Sequence, residues 1–146
     1  IAVAADHAGF PLKHAVLDAL LALGVEAQDL GAYDTTSVDF PDYAALVGRA
    51  IQKGEADRGI LLCGSGVGVC IAANKLHGIR AAITHDTYSA HQGVEHDGMN
   101  VLCLGARIIG EEVMRELVRA FVGASFQTEA RFVRRVDKIN ALEAEG

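Results

Sequence analysis

The chain has 146 residues, 51% of them apolar, and a formal net charge of −6. That length suits one domain, residues 1–146, with a core of ordinary size, and the acidic balance argues against a nucleic-acid binder, whose affinity comes from a basic surface. No apolar run approaches the roughly 18–20 residues of a membrane span, and no basic stretch followed by an apolar segment points to secretion.

"IAVAA" (1–5) is a short apolar strand followed by "DHAGFP". Pro11 can open a helix whose apolar positions Leu12, Val16, Leu17, Leu20 and Leu21 repeat at helical spacing, and Gly24 stops it. "VEAQDLG" reads as a weaker strand, and the polar stretch from Tyr33 to Tyr43 as a loop. Pro41 opens a second helix, closed by Gly54. "GILLC" (59–63) is the clearest buried strand. Then come a glycine loop, a helix over "VCIAANKL", a strand at 80–84, a helix in "DTYSAHQGV", a strand at 100–105, and helices near 110–122 and 128–144. Strands alternating with helices over short connections predict a doubly wound, five-stranded parallel sheet with helices on both faces.

In such sheets ligands bind beyond the carboxyl ends of the strands. Asp6 and His7, Cys63 to Gly68, His85 and Asp86, and Gly105 to Arg107 all follow strands, so four strand ends bring polar or reactive groups to one rim. The loop Gly64-Ser65-Gly66-Val67-Gly68 lacks the Lys-Ser/Thr of a Walker loop and the spacing of a dinucleotide fingerprint. It is either a backbone nest whose N–H groups hold an anion or a set of glycines that let a helix approach a strand. Cys63 stands at its edge, where such N–H groups favour a thiolate. That combination suits nucleophilic attack on a carbonyl or proton abstraction beside one. Ser65 can support the thiolate or a substrate hydroxyl. The other two cysteines, Cys70 and Cys103, read as small apolar fillers. Free thiols in a chain without a disulfide framework point to a reducing compartment and a cytoplasmic protein.

His85, His91 and His96, with Asp86, Glu95 and Asp97, raise a metal site, but spacings of six and five do not put the histidines on one helix face. Arg131, Arg134, Arg135 and Lys138 make a local basic patch, either for a small anionic ligand or as a solvated helix face.

Several stretches together resemble one family, the type B ribose-5-phosphate isomerases with the related galactose-6-phosphate isomerase subunits. They are "DHAGFPLK" (6–13), "DFPDYA" (39–44), "CGSGVGVCIAANK" (63–75), "GIRAA" (78–82) and "EHDGMNVLCLGARIIG" (95–110). The resemblance implies aldose–ketose interconversion of a phosphorylated sugar with no metal or cofactor, ribose 5-phosphate first. Galactose or allose 6-phosphate, or a tetrose phosphate, stands as an alternative. It implies Cys63 as the group that moves the proton between C2 and C1, Gly64 to Gly68 as the cradle of the enediolate, and Ser65 as its support. It also implies His96 as the ring-opening acid/base, Asp6 and His7 as substrate contacts, and Arg107, Arg131 and Arg135 as phosphate ligands. The last two, four residues apart, share a helix face. Homodimers or dimers of dimers with shared sites are implied, with the helix near 128–144 reaching a neighbour; no nucleic-acid or membrane partner is. Asp97 stands where many members carry Asn, and an ionised Asp can only accept a hydrogen bond. A cysteine hydrolase or transferase and a non-catalytic sugar-phosphate binder remain the readings outside this class.

Overall fold

Strand β3 (Gly59–Cys63), buried along its whole length, is the centre of a five-stranded parallel sheet in the computed structural model, which describes all residues from Ile1 to Gly146. Around it lie β1 (Ala2–Ala5), β2 (Gln28–Asp29), β4 (Ala81–Ile83) and β5 (Val101–Gly105), in the order β2-β1-β3-β5-β4. The connecting helices are α1 (Phe10–Ala22), α2 (Phe40–Gln52), α3 (Val67–Ala73) and α4 (Thr87–Asp97), and α5 (Glu111–Gly123) and α6 (Ala130–Glu145) end the chain. The element order is the expected one.

Side-chain alternation along the strands makes two cores. Val3, Ile60, Leu62, Leu102 and Leu104 face α1 and α5. Ala2, Ala4, Leu61, Cys63 and Cys103 face α2 and α3. Because adjacent strand residues point to opposite faces, Cys63 and Cys103 fall in the same layer as the helix that follows the glycine loop.

Helix α1 departs from the sequence reading at two positions. Leu21, expected on the buried stripe, is 77% exposed, whereas Lys13 is only 3% exposed. The Lys13 ammonium is ion-paired to Asp29 at 2.7 Å, donates to the Ala32 carbonyl, and lies over the rings of Phe10 and Tyr33. A buried ammonium is tolerated only when paired in this way, and its partners lie in a segment of the chain that sequence periodicity does not address.

Two glycines set the approach of loop to sheet. A Cβ on Gly9 would stand 2.4 Å from the Leu62 carbonyl oxygen, so α1 packs directly on β3. Gly66 has φ +83°, a left-handed conformation that side chains disfavour, and this turn swings the chain from β3 into α3. Helix α6 buries one residue, Phe132, against the end of α4. No helix is long and apolar enough to cross a membrane.

Candidate active site

The strand order reverses between β1 and β3, and the residues that leave those two strands face the crevice where such folds bind ligands. Asp6, 6% exposed, turns its Oδ1 inward to accept from the N–H groups of Ala8 and Gly9, both at 2.9 Å. It therefore shapes the β1–α1 turn. The N–H of Val38 donates to His7 Nδ1 at 3.1 Å, which places the proton of the neutral ring on Nε2. That contact draws part of the stretch 33–43 to the rim as a wall. The Phe40 ring extends the wall over Gly68, where an added Cβ would stand 2.9 Å from it.

Cys63 is 5% exposed, and its Sγ accepts from the Gly66 N–H at 3.1 Å. The Ser65 hydroxyl, expected to support the thiolate or a substrate hydroxyl, accepts from the Val67 N–H at 3.2 Å and keeps its own proton for another partner. The N–H groups of Gly64, Ser65 and Gly68 have no acceptor within the chain. The loop is thus a nest with three donors to spare beside one sulfur, which favours the anion-holding alternative over simple close packing. The other side of the rim is stitched to it: Ala106 N–H donates to the Cys63 carbonyl at 2.9 Å and Arg107 N–H to the Gly64 carbonyl at 3.0 Å. Those bonds stand Arg107 next to Gly64.

His85 completes the rim. Its Nε2 accepts from the Gly105 N–H at 3.0 Å, and burial pushes the imidazole below its usual 6.5. The folded chain therefore binds this proton less readily than the unfolded chain. Stability from this group is full above the unfolded value and is lost as pH falls below about 6.5. We expect the thermal midpoint of His85→Gln to fall less than that of the wild type between about pH 7.5 and about pH 5. Parallel curves would exclude His85 as the acid-sensitive group.

The remaining candidates lie elsewhere. Helix α4 starts at the rim, where Asp86 caps it by accepting from Ser89 N–H at 2.7 Å, and runs back along the sheet. Its 11 residues cover about 16 Å, so His96 and Asp97 lie toward the opposite end of the strands from Cys63. There Gln92 donates to His96 Nδ1 at 3.1 Å, which leaves the ring proton on Nε2. The imidazole stacks on Phe132 with centroids 4.1 Å apart, and the Arg131 guanidinium lies over the other partner of that stack. Arg131 is held by Glu129 at 3.0 Å. Arg135, one turn further along α6, is exposed and makes no ion pair within the chain. Asp97 is exposed and lines an open cavity of about 530 Å³ along the outer edge of β4, to which the Cys63 loop contributes nothing.

The sequence-predicted residues therefore fall into two groups: Asp6, His7, Cys63, Ser65, the loop and Arg107 at the rim, and His96, Asp97, Arg131 and Arg135 on α4 and α6. The three histidines of 85–97 go separate ways, His91 pairing with Glu95 at 3.1 Å, and no three ligating side chains converge. Sequence reasoning missed Lys13, His85 as a clamp and Gln92. A hydrogen-bonded glutamine four residues before His96 is a spacing signal that could have been read.

The chain matches the family model described as Ribose/Galactose Isomerase over residues 1–139. It is 43% identical to ribose-5-phosphate isomerase B of Escherichia coli, over 98% of this chain and 95% of that protein. It is 44% identical to D-erythrulose-4-phosphate isomerase of Pectobacterium atrosepticum, over 98% and 94%. The ribose-5-phosphate isomerase B structure from Clostridium thermocellum superposes with a TM-score of 0.95 at 40% identity, covering 99% of this chain and 97% of that one.

Proposed function

The chain belongs to the ribose/galactose isomerase family and is an aldose–ketose isomerase of a sugar phosphate, and from that premise we propose that it interconverts ribose 5-phosphate and ribulose 5-phosphate through an enediolate, without a metal, in a site shared by two copies of the chain. The observation that carries the reading is the nest: one thiol beside three unpartnered backbone donors.

In the open-chain aldose, the C2–H is acidic because the C1 carbonyl accepts the charge. The Cys63 thiolate removes that proton, and the developing negative charge on O1 meets the N–H groups of the Gly64–Gly68 loop. The thiol then returns the proton to C1 while the O2 hydroxyl proton passes to O1, and O2 becomes the carbonyl. Ser65 supplies a hydroxyl proton to the sugar side. His7 presents Nε2–H to a substrate hydroxyl, while Asp6 holds the turn that aims it. His96 opens the ring by moving a proton between O1 and the ring oxygen. Arg107 begins the phosphate site, and Arg131 and Arg135 complete it.

The division into two groups supports the sharing. His96 at the end of α4, and the arginines of α6, which packs Phe132 against that end, stand too far from the rim to serve the Cys63 of their own chain, so a second copy supplies them. Helix α6, which buries little in its own chain, is the element that reaches across.

The test is turnover of ribose 5-phosphate with and without EDTA. Activity that persists in EDTA supports the reading; activity abolished by EDTA and restored by a divalent metal overturns the metal-independent mechanism. A second reading, a tetrose phosphate as the better substrate, has its support in the 44% identity to the erythrulose-4-phosphate enzyme, and kcat/KM on both sugars decides between them. In either case Arg135→Ala should raise KM roughly 10–100-fold with little change in kcat, the cost of one charged hydrogen bond to phosphate. An unchanged KM would place the phosphate elsewhere.

A further inference from the structure

Strand β5 runs past the end of its neighbour β4. Alternate N–H groups of β5 face β4, and that of Val101 donates to the Arg80 carbonyl at 3.3 Å. Gly105, four residues on, faces the same way and is buried. Strand β4, however, ends at Ile83, opposite Cys103, so the ladder stops short of Gly105. A buried N–H without an acceptor is costly. The His85 side chain fills the gap: its Nε2 accepts from the Gly105 N–H at 3.0 Å, which leaves the ring proton on Nδ1. Only the neutral ring can do this.

The peptide held in this way is the floor of the nest. A Cβ added to Gly105 would stand 2.7 Å from both the carbonyl carbon and the carbonyl oxygen of Ser65. One added to Gly66 would stand 3.1 Å from the Leu104 carbonyl carbon and 3.3 Å from the Gly105 nitrogen. The Ser65–Gly66 corner thus lies directly on the Leu104–Gly105 peptide, and the N–H of that corner is the one that donates to the Cys63 sulfur. The Gly105 carbonyl in turn accepts from the N–H groups of Ile108 and Ile109, at 3.0 and 3.2 Å, and closes the turn that carries Arg107. We propose that His85 is a positioning residue for the Cys63 nest: by holding the Gly105 N–H from the β4 side, it fixes the peptide against which the Ser65–Gly66 corner sets its donors. It acts through two packed peptides rather than on the sugar. Without it the Gly105 N–H turns to seek another acceptor, and the corner resting on that peptide loses its register with the sulfur. Preorganised donors stabilise an oxyanion only while they hold that register. The effect on turnover rests on the nest being the cradle of the enediolate; the effect on the corner itself does not.

Three variants of the full chain test this. His85→Leu fills the space without an acceptor, His85→Asn keeps a polar side chain too short to reach, and His85→Gln carries a carbonyl oxygen to about the reach of Nε2. We expect kcat on ribose 5-phosphate to fall roughly tenfold in His85→Leu and His85→Asn, with KM within about twofold of wild type. His85→Gln should restore kcat to within about threefold. Amide NMR spectra of the chain without sugar give the second readout: in His85→Leu or His85→Asn the Gly105 and Gly66 resonances should move together, while those of Val3 and Ala4 in β1 stay. Wild-type kcat in both acceptor-free variants, a Gln variant as slow as they are, or a Gly66 amide that stays put while Gly105 moves would each overturn the proposal. If His85→Leu fails to fold, His85→Asn against His85→Gln decides the matter. Absence of ribose 5-phosphate turnover in the wild type would overturn the sugar assignment alone, and the Gly66 amide would still decide the role of His85.

Discussion

Cys63→Ala is expected to lower turnover of ribose 5-phosphate by about 10²–10⁴-fold, the usual share of one positioned acid/base group, while the sugar phosphate still binds. The two effects separate because the substitution removes only the sulfur. The side chain lies at the end of a fully buried strand whose backbone is held by β1 and β5, so the strand keeps its place, and the lost packing costs on the order of 1 kcal/mol. The Gly66 N–H loses its acceptor and joins the other free donors of the nest. The oxyanion stabiliser thus remains, and the base is gone. Steady-state kinetics together with calorimetric titration of ribose 5-phosphate check this. Loss of binding in parallel with turnover would mean that Cys63 builds the pocket rather than moves the proton. Wild-type turnover in the variant would remove it from the mechanism.

Mixing two dead variants should restore activity. If Cys63 of one copy works with His96 of the next, a hetero-pair of Cys63→Ala and His96→Ala chains has one site with both residues intact and one with neither. Random re-pairing gives hetero-pairs in half of the dimers, each half active, so about a quarter of wild-type activity returns. Each variant alone stays low, because every site in it lacks one group. The expectation comes from the length of α4: its 11 residues, about 16 Å, separate His96 from the rim. Activity of mixtures measured after brief denaturation and refolding, against each variant treated alone, checks the point. No recovery in a mixture shown by tagged co-purification to contain hetero-pairs would mean that each chain completes its own site.

The legible parts of the fold share one property: they depend on neighbours in sequence. The alternation of apolar strands and amphipathic helices, the prolines opening α1 and α2, and the glycines closing them act over a few residues. They are enough to specify a five-stranded parallel sheet. The cysteine at the strand end and the glycine loop after it were legible for the same reason, since a strand, a tight turn and a helix start occupy one short stretch. Leu21 shows the limit. Helical spacing put it on the buried stripe, yet it lies outside, while Lys13 lies inside because Asp29 and the Ala32 carbonyl were there to receive it. Spacing ranks residues by polarity and has no knowledge of a partner 16 positions away.

The site divides along the same line. Residue type and local order alone pointed to a thiol beside an anion nest and to a basic patch near the C-terminus; the roles of His96, Arg131 and Arg135 rest on the family resemblance. Only the tertiary structure decided who stands next to whom. It sent His85 to clamp Gly105 and set His96 against Phe132 at the far end of α4. The physical reason is that chemistry belongs to side chains, which a sequence states outright. Distance between elements is set by how two apolar layers pack on one sheet, and that packing is a property of the whole chain at once.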